Sequence, residues 1–302
     1  MSANSPVALE WLTLPEEKTL AQLALLLGAL GFGLIPLFSR IAMDAGASAG
    51  TVVLARYGFA ALLVVPWLCV PREHRWRALL AVVLGMLLAA GMRAYVAALA
   101  IMPVELPALI FYSYPAFVLV LAWLTLGQRP RVQGWIATAL VLLAALLIAA
   151  PGPLKPAVGH AIWLTLLAPL AIALITTALA GPLAPLRTAT KTFWLLFGTC
   201  LISVPAAIGG EGSTLPATTY GWLALAALAF VTGLIPQLLF GWATPRTGAA
   251  PAALAGAFEL LVTLFVGWVV FLEQVTLAGV CGALLILVAL VLARPPATPS
   301  VA

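Results

Sequence analysis

Read as apolar runs separated by polar breaks, the chain divides into ten long hydrophobic stretches with very little between them. A helix needs about 20 apolar residues to cross the hydrocarbon core of a bilayer. The stretches fall at roughly 19–41, 49–70, 77–97, 104–126, 132–150, 158–180, 188–209, 219–243, 249–271 and 276–293. The breaks are short and rich in Pro, Gly and Arg: PREHRW, GQRPR, APGPLKPA, TPRTG and LEQ. No soluble domain is interposed, so any chemistry is expected inside the membrane.

Composition removes the soluble alternative. Of 302 residues, 64% are hydrophobic and only 8% are charged, against about a quarter charged in soluble domains. The opening MSANSPVALEWLTLPEEKT is polar and acidic, without the basic region, apolar core and cleavage site of a secretory leader, so insertion without a cleaved signal is expected. Cationic residues cluster in alternate connections: Lys18, Arg72, Arg75, Arg77, Arg129, Arg131, Arg187, Lys191, Arg246 and Arg294 all fall in or beside segments on one side. The positive-inside rule makes that side cytoplasmic. Both termini are therefore expected in the cytoplasm of a cell bounded by a bacterial-type plasma (inner) membrane.

Five spans per half predict an internal repeat. An offset of 145 residues lays PALIFYSYPAFVLVLAWLTLGQRPRVQGW over AALAGAFELLVTLFVGWVVFLEQVTLAGV, matching Trp123 to Trp268, Gln128 to Glu273 and Gly134 to Gly279. A slightly different offset sets Arg56 opposite Lys191, each near the start of the second helix of its half. An odd number of helices per unit inverts the second unit, which is the architecture of many secondary transporters. The expected fold class is an all-α integral membrane protein with ten transmembrane helices as two inverted five-helix repeats, at residues 1–150 and 151–302.

The segments YSYPAFVLVLAWLTLGQ and FELLVTLFVGWVVFLEQ, with RYGF in the second helix, resemble the drug/metabolite transporter superfamily in its EamA-type branch. YVAALAIMPVELPALIFYSYP is similar to the corresponding part of YddG-type exporters of aromatic amino acids. Gln128, where the family often has Glu, and Leu260 after Glu259, where it often has Pro, depart from the pattern. The resemblance implies a basket of helices, with the first, third, fourth, sixth, eighth and ninth lining a central path and the fifth and tenth supporting it from outside. Those six carry most of the mid-span Pro and Gly, in GALGFGLIP, LLAAGM, FYSYP, LLAPL, TGLIPQ and AALAGAFE. Proline removes a helical hydrogen bond and permits bending; Pro36, Pro115, Pro169 and Pro236 are the hinge candidates.

The polar residues within spans supply the candidate chemistry. Glu259 stands alone in the sixteen residues ALAGAFELLVTLFVGW, about 15 Å along its helix and beyond snorkelling reach. It either bonds freed backbone or Gln237, holds a substrate ammonium, or carries a proton as a coupling group. Arg93 either snorkels to the interface or takes a substrate carboxylate with its planar fork. Arg56 reads as structural or interfacial. Gln237 bridges helices or lines the cavity. Tyr95, Phe111, Tyr114, Trp163 and Phe258 lie on the path helices as candidate aromatic contacts, while Trp76 and Trp222 read as interfacial anchors.

Other chemistries are disfavoured. His74 and His160 lack metal spacing, the three cysteines lie in apolar runs, and no phosphate-binding loop or nucleophile–His–acid set is present. An enzyme, a bound metal or cofactor, a nucleic-acid partner and a self-contained ATP-driven pump are all unexpected. The expected partners are a small amphipathic substrate and membrane lipid, with a monomer as the simplest assembly. The function expected is a secondary transporter exporting amino acids, aromatic ones included, by alternating access. The alternatives are a multidrug or cationic-metabolite exporter of the same fold, and a non-transporting intramembrane scaffold.

Overall fold

The computed structural model describes residues 15–65, 70–98, 105–149, 159–209 and 214–292. Among them every regular element is helical. Seven helices are long and apolar enough to cross a membrane: Glu17–Asp44, Arg72–Tyr95, Leu109–Leu126, Ile162–Ala180, Thr188–Ala207, Thr219–Thr247 and Ala249–Val269. Three shorter apolar helices, Ala49–Leu63, Val132–Ile148 and Leu277–Leu292, complete the bundle. The chain is an integral membrane protein.

Most of these rods are broken. The first is α1 (Pro15–Gly33) followed after one turn residue by α2 (Ile35–Asp44). The second is α3 (Ala49–Val53), a π-helical segment Leu54–Phe59 and α4 (Ala60–Leu63). Then come the unbroken α5 (Arg75–Ala98), the pair α6 (Glu105–Phe111) and α7 (Tyr114–Leu126), and the unbroken α8 (Val132–Ala149). The remainder repeats the theme with α9 (Gly159–Thr165) and α10 (Leu167–Ala180), and with α11 (Thr188–Gly209). Next, α12 (Thr219–Ala227) and α13 (Ile235–Thr247) are joined through a second π segment, Leu228–Leu234. Last come α14 (Ala249–Gly256) with α15 (Phe258–Val269), and α16 (Leu277–Leu292).

The breaks reflect the chemistry of the chain. Pro36, Pro115, Pro169 and Pro236 each lie in the first turn of the segment after a break or a π segment. There the missing N–H costs nothing, because the opening turn of a helix has no partner for it. The break between α14 and α15 has no proline; Ala257 N–H turns back to the Leu254 carbonyl at 3.1 Å, giving one tight turn.

Side-chain size, rather than polarity, separates inside from outside. On α1 the buried positions are Ala21, Ala24, Leu25 and Ala29, while Leu20, Leu23, Leu27 and Leu30 are exposed. Lipid tails solvate leucine as well as a protein core does, so nothing drives large apolar groups inward, and small residues let helices approach closely. Buried polar side chains are mostly threonines; some bond a carbonyl of their own rod, as Thr176 does to Ile172 at 2.8 Å and Thr232 to Leu228 at 2.8 Å, and Thr51 reaches across to the Thr214 carbonyl at 2.7 Å.

The tightest seam joins α5 to α11. A Cβ on Gly85 would strike the Leu195 carbonyl oxygen, and one on Gly198 would strike the Val82 carbonyl oxygen. The Thr199 hydroxyl closes the seam by donating to the Leu195 carbonyl at 3.0 Å or the Gly85 carbonyl at 3.2 Å. On another flank α8 and α16 pack on each other and contribute nothing to the central cavity. Gly198→Leu is expected to force α5 and α11 apart and to destabilise the protein by about 1–3 kcal/mol or more, the usual cost of overpacking. Thermal unfolding in detergent, followed by size-exclusion recovery, reads this; a melting temperature equal to that of the parent shows that the seam is loose.

Candidate functional site

A cavity of about 150 Å³ lies between the broken helices. Its wall is polar in places and its space is roughly tenfold what one water needs, so it is wet. Its lining comes from the first to fourth rods (Phe32, Arg56, Leu88, Tyr114) and from the later ones (Thr176, Thr199, Gln237, Glu259). The path helices inferred from the family resemblance are therefore joined by two more. Arg56 and Tyr57 come from the π segment of the second rod, and Leu195, Leu196 and Thr199 from α11.

Tyr114 is the pivot of the aromatic wall. Its ring is 6% exposed, and Phe111 lies between it and Tyr95, with ring centroids 5.9 Å and 6.1 Å from Phe111 respectively. The Tyr114 hydroxyl donates to the carbonyl of Ala253 at 2.8 Å. In a continuous helix that carbonyl would accept from Ala257 N–H, which has turned to Leu254 instead. The tyrosine thus satisfies the backbone group that the α14–α15 break releases, across from the other half of the chain. Gly256 makes room for it, since a Cβ there would collide with the hydroxyl. One further break is finished in the same manner, Thr263 Oγ1 donating to Gly33 O at 3.3 Å, while at the α6–α7 break Ser113 supplies Ile110 O with both its N–H at 3.1 Å and its Oγ at 2.6 Å.

The charges of the cavity are Glu259, in the first turn of α15, and Arg56. They lie within electrostatic reach of one another but form no ion pair, the one ion pair among the described residues being Glu73 with His74 at 3.8 Å. The Arg56 guanidinium lies over the rings of Tyr57 and Phe32, 4.9 Å and 6.0 Å from their centroids, and its buried Nε has no hydrogen-bond partner. An unpaired donor of that kind is costly in the absence of a ligand or water.

Of the eight residues singled out in the sequence, Phe111, Tyr114, Gln237 and Glu259 line this cavity. Tyr95 reaches it through Phe111. Phe258 is partly buried beside Glu259 but off the lining, Arg93 is exposed, and Trp163 is 76% exposed on the outer surface. Arg93 and Trp163 are thus not brought to the cavity. The cation of the cavity is Arg56, which the sequence reading set aside as structural or interfacial. The signal available for it was its pairing with Lys191 in the repeat.

A lipid-faced bundle of broken helices around a wet, partly aromatic cavity is the architecture of a membrane transporter. The model of the EamA-like transporter family matches residues 19–150 and again residues 159–294, and the chain belongs to that family. A riboflavin transporter of Rhizobium johnstonii is 30% identical over 192 residues, covering 60% of this chain; the match spans 61% of that relative's length. A crystal structure of a protein with 16% sequence identity superposes with a TM-score of 0.77, over 91% of this chain and 96% of that one, a likeness of fold.

Tyr114→Phe keeps the ring and removes the donor. It is expected to destabilise the protein by about 1–3 kcal/mol, the cost of leaving a buried carbonyl unpaired, with Gly256→Val producing a comparable loss by displacing the hydroxyl. Thermal melts of both variants at the parent temperature would mean that the Ala253 carbonyl finds another partner.

Proposed function

We propose that this EamA-family member is a secondary transporter that exports zwitterionic amphipathic metabolites, aromatic amino acids foremost, by alternating access. The observation that carries this reading is the separated pair of opposite charges, Arg56 and Glu259, on one aromatic-walled cavity. A carboxylate suits the planar fork of an arginine, an ammonium suits a carboxylate, and a side-chain ring suits Phe111, Tyr114 and Phe32. The unpartnered Arg56 Nε supports the first of these contacts.

The architecture of the reading is two inverted five-helix repeats, residues 1–150 and 151–302, with both termini cytoplasmic in the plasma membrane. The two family matches, one in each half, support the repeat. The clustering of Arg129, Arg131, Arg187 and Arg246 in alternate connections supports the orientation. Singly placed cysteines in PREHRW, GQRPR and TPRTG are expected to react with an impermeant thiol reagent from the cytoplasm alone, and those in EGSTLP from outside alone. Parallel halves would remove the inverted arrangement.

A second reading is a carrier of flavin-like compounds, favoured by the riboflavin transporter among its relatives. A flavin also stacks on aromatic rings but presents no ammonium, so it leaves Glu259 without a task.

Purified protein in liposomes separates the two. Tryptophan flux is expected, with Arg56→Gln and Glu259→Gln each lowering it about tenfold or more, the cost of one charged hydrogen bond. Tryptamine, which lacks the carboxylate, is expected to be insensitive to Arg56→Gln; indole-3-propionate, which lacks the ammonium, to Glu259→Gln. Riboflavin flux without tryptophan flux overturns the amino-acid reading. A Glu259→Gln protein that still exchanges tryptophan for tryptophan but has lost stimulation by a pH gradient makes Glu259 the coupling group rather than the ammonium site.

A further inference from the structure

Lys191 occupies the most demanding environment among the described charged residues. It lies in the opening turns of α11 and is 2% exposed. Its aliphatic stem runs past Gly241 of α13, where an added Cβ would sit 3.6 Å from Lys191 Cε. Among the described residues it forms no ion pair. The charge that acts on it is Arg246, also positive, whose own guanidinium is held over the Trp242 ring at 4.3 Å and donates to the Trp242 carbonyl at 2.7 Å. A lysine close to a helix end normally extends to the headgroups. This one is folded inward, where an unpaired ammonium costs several kcal/mol. A leucine or methionine would fill the same space without that cost.

Its address explains the burial. Leu195 and Leu196 lie one turn further along α11 and Thr199 two turns, all walling the cavity; on α13, Phe240 precedes Gly241 directly and Gln237 lies one turn back, and both line it too. Lys191 therefore sits directly behind the cavity wall, toward the end of the bundle marked by Arg187 and Arg246. At an offset of 135 residues, ten less than that of the later helices, it stands opposite Arg56, and each is the one cation in the opening turns of the second rod of its half. The two matched cations are in opposite situations: Arg56 faces the cavity and Lys191 is sealed behind it. An inverted-repeat carrier reaches its opposite-facing state when the halves exchange conformations.

We propose that Lys191 is the carboxylate-binding residue of the opposite-facing state, taking over from Arg56 as the halves exchange. This deepens the zwitterion reading of the central cavity and rests on it. The acid group of the substrate meets one cation from each half in turn, Arg56 when the cavity stands as seen here and Lys191 when the cavity opens at the Arg187–Arg246 end.

Sided transport in proteoliposomes of the full chain tests the exchange. Lys191→Gln is expected to raise KM for tryptophan about tenfold when substrate is offered at the Arg187–Arg246 face, and less than about twofold at the opposite face. Arg56→Gln is expected to show the mirror image, and Lys191→Arg to restore the parent value. Should Lys191→Gln fail to fold, the native protein gives the second measurement. An impermeant amine-acylating reagent is applied from each face, and acylation is read by mass spectrometry on the peptide containing Lys191, one of three lysines in the chain. Acylation is expected from the Arg187–Arg246 face alone, with protection by tryptophan and none by tryptamine. Lys191 unreactive from both faces, equally reactive from both, or a KM shifted equally or not at all at the two faces overturns the proposal. Failure of the underlying zwitterion reading looks different: tryptophan and tryptamine then respond alike to Arg56→Gln, whatever the sidedness of Lys191.

Discussion

A backbone carbonyl released by a broken helix has no water to turn to in the hydrocarbon core, and each such group must be paired inside the protein. Much of this structure results from that constraint. The breaks give the rods their bends, and the bends open the cavity. Side chains then take up the acceptors at the breaks: Ser113 adds a second bond to Ile110, and Thr263 and Tyr114 pair with Gly33 and Ala253. The last two reach between helices. A bend in one rod is therefore tied to the position of another, and the Tyr114 contact couples the middle of the first half to the middle of the second.

Against these flexible joints stands a rigid seam. Where Gly85 and Gly198 bring α5 and α11 backbone to backbone, there is no side chain to rearrange, and the Thr199 hydroxyl fills the remaining acceptor. Close packing and size sorting supply the cohesion that the hydrophobic effect cannot supply in lipid. The cavity occupies the region between the seam and the joints. Its charged groups, Arg56 and Glu259, come from a π segment and from the turn after a break, places where the backbone departs from regular helix.

The sequence showed a good part of this. Runs of apolar residues located the rods, and the four prolines stand in the first turn after an interruption or a π segment, because both are local properties of the chain. The 145-residue offset also sets Tyr114 opposite Glu259, and both line the cavity. Arg56 was misread for a physical reason. It lies near the start of its apolar run, where a cation is ordinarily interfacial, and nothing in the run marks the π segment from which it faces the cavity. Trp163 was assigned to the path by the helix that carries it, yet facing is decided by packing, and in a membrane a tryptophan is equally at home outward. Lys191 was counted with the cations that mark helix ends; no pattern distinguishes a lysine that extends to the surface from one folded into the bundle.

The π segment at Leu54–Phe59 also bears on how far the two halves are alike. Such a segment is a wider turn that accommodates one residue more than a regular helix would over the same rise. The matching stretch around Lys191 belongs to α11, which is α-helical from Thr188 to Gly209. On the two-repeat reading, the halves differ in backbone as well as in side chains: one widens its second rod into a π turn, while the other keeps α11 regular and places its π turn at Leu228–Leu234 instead, so the wall of the cavity is not the same surface met twice.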